Sequence, residues 1–210
     1  MQKDANADQV HVRIKMMSRR DEHAAPLIAY TDHIAEVSGL PPGSVPYPDP
    51  EHGGTRAEAL FVLSHPGAKA KPYPKGSGML SLENADPTAR ACFDQCVRVG
   101  LAFDRITHWN AVPVPLATGA GPSQTDLRTG AQWLPGLLEL LPHLKIVALL
   151  GTNARDGWNH AFPTSPLPVE VGPSPGPQGL AAPGARERLD SMFDRIAREL
   201  GPTPPSQESA

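Results

Sequence analysis

No run of about 18 apolar residues occurs in this 210-residue chain, so nothing in it reads as a membrane-spanning helix. The first twenty residues, MQKDANADQVHVRIKMMSRR, lack the apolar core of a secretory leader, and a cytoplasmic protein is expected. Cysteine is scarce. Cys92 and Cys96 are four apart in a helical stretch. That spacing holds Cβ atoms about 5–6 Å apart, beyond the roughly 3.5–4.5 Å a disulfide needs, so two half-buried thiols are expected. Two cysteines alone cannot ligate an iron–sulfur cluster. The eight histidines are scattered, with no zinc-like spacing. Surplus positive charge is missing as well. With a net charge of −3, the chain can bind nucleic acid only through a local basic surface, or weakly. There is no GxGxxG, no Walker A loop and no GxSxG, which removes the usual phosphate cradles and the nucleophile elbow. No internal repeat is visible.

What the chain has in quantity is turn-formers: 19 glycines and 25 prolines, about a fifth of its length. They predict long, stiff loops between regular elements. Apolar residues make up 40%, enough for a core. A helix is expected over 24–38, with Leu27, Ile28, Ile34 and Val37 inward and Gly39 as its stop. EALFVLS (58–64) reads as a buried strand. Residues 64–86 form a long loop, of the kind that is usually functional. A helix over 87–100 follows, capped by Asp86, opened by Pro87 and stopped by Gly100. A second strand ends near Asn110. One long helix spans 123–144, kinked at Pro135. KIVALLG (145–151) is a strand bearing the continuous apolar run of a parallel sheet. Thr152 caps a short helix, PVEV (168–171) is the fourth strand, and 185–200 is an amphipathic helix with Leu189, Met192, Phe193 and Ile196 inward.

Helices alternating with strands specify a three-layer α/β/α fold around a central four-stranded, mainly parallel sheet. The domain reading is a polar N-terminal extension over 1–20, one domain over 21–200, and a disordered tail over 201–210. Ligands of such sheets sit at the C-terminal ends of the strands. Three loops leave those ends, at 64–84, 110–122 and 172–182. They carry His65-Pro66-Gly67, then Trp109-Asn110, then Gly172-Pro173-Ser174-Pro175.

This triple resembles the uracil-DNA glycosylase superfamily. There, a first-strand motif ending in a Pro-Gly or Pro-Tyr turn positions the water. An Asn ending the second strand bonds the base, and a late His-Pro-Ser loop enters the minor groove and stabilises the uracil anion. VPYPDPEHGGTRAEALFVLSHPG, SGMLSLENADPTA, THWNAVP and LPHLKIVALLGTNA together look like a bacterial branch of that superfamily, over residues 45–195. The resemblance implies a monomeric DNA-repair hydrolase that needs no metal or cofactor and acts on uracil or another deaminated base in DNA. It implies catalytic roles for His65 and Asn110. It implies a base pocket formed by Pro66, Gly67, Met79, Asn84 and Asn110, with Met79 as the stacking platform. It implies DNA-backbone contacts from Gly172, Pro173, Ser174 and Lys69. Gly172 stands where the family carries its late histidine, and His65 stands where many members carry a carboxylate or Asn. Three readings stay open: an active glycosylase, an impaired one that binds damaged DNA or a nucleobase, and an enzyme acting on a small nucleobase-containing substrate. Whether His65 or His160 compensates for Gly172 is open too.

Overall fold

The computed structural model describes residues 1–72, 74–116 and 121–202. Four strands form one parallel sheet: β2 (Ala59–Leu63), β4 (Ile106–Asn110), β5 (Ile146–Leu150) and β6 (Val169–Gly172). Their order is β4-β2-β5-β6. The chain therefore runs outward from β2 in one direction, crosses back, and continues in the other. The crossing point lies between β2 and β5. Leu63 pairs with Asn110 and Leu150 with Gly172, so the C-terminal ends of neighbouring strands lie level. Two short parallel strands, β1 (Tyr47–Pro48) and β3 (Met79–Leu80), form a second small sheet that the Pro-rich sequence gave no reason to expect.

Period-two alternation divides each strand between two cores. Leu60, Val62, Trp109, Val147 and Leu149 face one layer. That layer is built from α2 (Ala25–Val37), α4 (Gln124–Ala131), α5 (Leu134–Glu139) and α6 (Thr152–Ala161). Ala59, Phe61, Ile106, Ala148 and Leu150 face the other, built from α3 (Pro87–Val99) and α8 (Ala185–Leu200), with the short α7 (Pro177–Leu180) against α8. This is the expected three-layer architecture. The expected inward residues Leu189, Met192, Phe193 and Ile196 are all buried. Asp86 caps α3 by accepting from the backbone N–H groups of Thr88 and Ala89, both at 3.0 Å. Gly100 ends it at φ +68°.

Several local expectations are corrected. The helix over 123–144 is two helices, broken at Gln132-Trp133. Pro135 lacks an N–H and crowds the preceding turn, so it opens α5 instead of kinking a continuous helix. Gly151, not Thr152, caps α6. Val37 is 60% exposed, on the solvent side of α2. Cys92 and Cys96 are wholly buried, not half-buried. The fourth strand ends one residue later than expected, which takes Gly172 out of the loop and into the sheet.

The N-terminal segment is more than a polar extension. It contains α1 (Gln9–Lys15), capped by Asp8, whose side chain accepts from the Val10 N–H at 2.8 Å. Its last residue, Lys15, is completely buried, with Nζ 2.8 Å from Asp49 Oδ2 and also bonded to Glu83. A buried ammonium is tolerable only when paired in this way. Residues 203–210 of the expected tail lie outside the described residues. No helix among the described residues is long and apolar enough to cross a membrane.

Candidate functional site

The site grows from the end of β4. Side chains two apart on a strand share a face, so His108 and Asn110 point the same way, toward α3 and away from the layer that holds Trp109. Beside them lies a cleft of about 130 Å³, lined by Leu63, His65, Gly67, Asn84, Asp86, Cys92, His108 and Asn110 among others. A cavity of roughly 150 Å³ holds one benzene, so the cleft has the scale of a single six-membered ring.

Asn110 is 2% exposed and its Nδ2 has no hydrogen-bond partner. His108 is 4% exposed and both its ring nitrogens lack partners. Buried polar atoms of this kind are costly unless something satisfies them. Burial pushes the His108 imidazole down to about 3, and His52 beside it acts in the same direction. His108 is therefore neutral across the physiological range, with one N–H donor and one acceptor. It stacks on Phe61 with ring centres 5.4 Å apart, and His52 packs at the same distance.

His65 stands at the rim. Its Nδ1 is 2.9 Å from Ser64 Oγ, and that oxygen accepts from Asn153 Nδ2 at 2.9 Å. Asn153 lies in the first turn of α6, which follows β5, so this chain of bonds spans the topological crossing between β2 and β5. In open α/β sheets that crossing is where ligands bind. Burial lowers the His65 pKa below its ordinary value, so the ring is uncharged at pH 7. His65 also borders a larger groove of about 840 Å³ with Pro66, Lys71 and Lys75 on its walls.

Asn84 is held from both ends. Its Oδ1 accepts from Asn6 Nδ2 at 3.1 Å, and its Nδ2 donates to the Met79 carbonyl at 2.9 Å. It supports the cleft wall, and the N-terminal segment supports it. Behind that wall sits the buried group of Lys15, Asp49, Glu83 and His52. Burial alone would raise the Asp49 carboxyl. The nearby His52 and Lys15, with hydrogen bonds from Lys15 and Ser81, outweigh that and hold it below its ordinary value.

The structure thus brings His65, Gly67, Asn84 and Asn110 together in one cleft, with Pro66 on the adjoining groove. It does not bring Met79 there. That side chain is wholly buried in β3 and absent from the cleft lining, so Leu80 and Leu82 supply the apolar wall. Lys69 is exposed in the loop, where its carbonyl accepts from the Ser77 N–H at 2.9 Å. Gly172, Pro173 and Ser174 line a separate depression with Gly151, Thr152, Arg155 and Arg188. Gly151 sits there at φ +96°, a conformation that favours glycine. The late loop does approach the cleft rim, because a Cβ on Gly176 would lie 3.2 Å from Thr88 Oγ1.

A side chain at Gly172 requires Met192 to move. A Cβ built there would overlap Met192 Sδ, and Met192 is wholly buried. His160 does not take the place of the late histidine. It lies in the last turn of α6, bonded to Gln124 at 3.1 Å, and is about 12 Å along the axis from the helix start at the site edge. The chain matches no known family model and no curated protein.

His108, Ser64 and Asn153 are the site residues that motif reading passes over. THWN held a usable signal for the first, since strand alternation alone puts His108 on the face of Asn110. Asn153 joins through tertiary structure only.

Proposed function

We propose that this protein is a monomeric, cytoplasmic DNA glycosylase that hydrolyses the N-glycosidic bond of uracil or another deaminated base. The observation that carries the reading is the unpartnered, buried Nδ2 of Asn110 in a ring-sized cleft. A base flipped from the helix would supply the missing acceptor with its carbonyl oxygen. In the reaction, water attacks the sugar C1′ and the C1′–N bond breaks with its electron pair leaving on the base. The Asn110 N–H bonds one of the carbonyls over which the negative charge spreads. The water's proton passes to the uncharged ring of His65, which also borders the lysine-bearing groove able to hold the flanking phosphates.

One observation favours the second reading, a protein that binds a damaged base with little turnover. No lysine or arginine lines the ring-sized cleft among the described residues, and Met192 fills the volume behind Gly172. Negative charge on a departing base would meet hydrogen bonds but no cation.

The test is strand breakage at abasic sites in oligonucleotides carrying uracil, hypoxanthine or xanthine. Breakage by the native protein is expected, and Asn110→Ala is expected to lower it by roughly 10²–10³-fold. Breakage that Asn110→Ala leaves intact would refute the assignment of the site. Tight binding to uracil-containing DNA with no breakage would favour the second reading.

A further inference from the structure

We propose that His108 is a specificity-determining residue: together with Asn110 it reads the carbonyl–N–H–carbonyl edge of a pyrimidine ring from the floor of the cleft. The inference rests on the reading of this cleft as a base pocket. It starts from a different observation, the two unpartnered nitrogens of a side chain that is 4% exposed and lines the same cavity.

The cleft floor is complementary to that edge. Positions i and i+2 of a strand lie about 6.6 Å apart on one face, so His108 and Asn110 together span the edge of one ring. The Asn110 amide offers a donor and an acceptor, which match a carbonyl and the adjacent N–H. A second carbonyl on the far side of that N–H then needs a donor, and the His108 imidazole has one free. Phe61 stacked on one side and His52 packed against the ring restrain its orientation. Because burial keeps the ring uncharged, it donates a hydrogen bond without giving up the proton. In uracil, the carbonyl so bonded adjoins the glycosidic nitrogen. His108 would then provide, from the sheet floor, the donor that the resemblance places in the late loop, where Gly172 offers none and Met192 leaves no space.

The experiment uses the full chain, the probes free uracil and pyrimidin-4-one, and the variants His108→Gln and His108→Leu. Pyrimidin-4-one has the same ring and the first carbonyl–N–H pair but lacks the second carbonyl. Binding is followed through the histidine imidazole nitrogens by NMR. The native protein is expected to prefer uracil by about tenfold, the worth of one hydrogen bond to a buried neutral partner. Uracil should also displace the His108 nitrogen resonances. His108→Gln retains one donor and one acceptor and is expected to keep most of the preference. His108→Leu is expected to abolish it. Equal affinity of the native protein for the two rings overturns the inference, as do binding of neither ring and an undiminished preference in His108→Leu. If the variants fail to fold, the native comparison and its resonance shifts decide alone. Base release from uracil-DNA combined with equal affinity removes this inference and leaves the glycosylase reading standing. Discriminating binding without base release does the reverse.

Discussion

At the scale of single residues, the clearest physical constraint is at Gly172. The amino-acid order invites its replacement by histidine, since a glycine there looks like a lost functional group. The packing says otherwise: the position faces the buried Met192 of α8. Gly172→Ala and Gly172→His are both expected to lower stability, by about 1–3 kcal/mol, because the added side chain must displace the buried Met192, and Gly172→His is not expected to raise base release. Thermal unfolding of the two variants checks the first expectation. A double-mutant cycle with Met192→Ala should show strong coupling between the positions. Additive effects would mean that the strand shifts to accommodate the side chain. Asn110 was found because it ends the second strand, where the resemblance expects the residue that bonds the base. The resemblance put Met79 in the pocket as a stacking platform, and linear position could not show that β3 buries that side chain instead.

At the scale of elements, the parallel sheet was legible because β2 and β5 are unbroken apolar runs and helical stretches alternate with the strands. Asp86, Pro87 and Gly100 bracket α3 as helix-terminus chemistry requires. The role of α1 was not legible. A helix rich in charge and only seven residues long looks like solvent-exposed chain, and only tertiary structure reveals that Lys15 meets Asp49 and Glu83, 34 and 68 residues away. Lys15→Met should be costly, by about 3–5 kcal/mol, because it leaves buried carboxylates without a partner. The pH dependence has a definite sign. In the native protein Asp49 has a depressed pKa, so its contribution is present above the ordinary carboxylate range and lost as pH falls through the folded value. The gap between native and Lys15→Met should therefore be widest near neutrality and narrow below about pH 4. Urea unfolding at several pH values measures it. A gap that widens in acid would contradict the ion-pair account.

At the scale of the whole molecule, a second ion-pair network lies at the sheet edge opposite the candidate chemistry. The N-terminal edge is tied by Glu58, which binds Arg105 at 2.7 Å and Lys145 at 2.6 Å, while Arg105 also donates to the carbonyls of Leu200 and Gly201 at the end of α8. The Arg105 hydrogen bonds lead in holding the Glu58 carboxyl down at about 2. Its contribution should be complete above about pH 4.5 and fade toward pH 2. Glu58→Gln is expected to flatten acid unfolding over that window and to leave uracil binding unchanged, since the cleft lies at the other ends of the strands. A loss of binding in that variant would show that the two edges are coupled. The buried thiols give the molecule a clock of its own. Burial raises Cys92 to about 12, and the residue sits in the core beneath α3 at the border of the cleft. A thiol so rarely ionised and so well covered reacts only when α3 lifts away. The rate at which an alkylating reagent consumes it therefore counts openings of that wall, and an occupant of the cleft would slow the count.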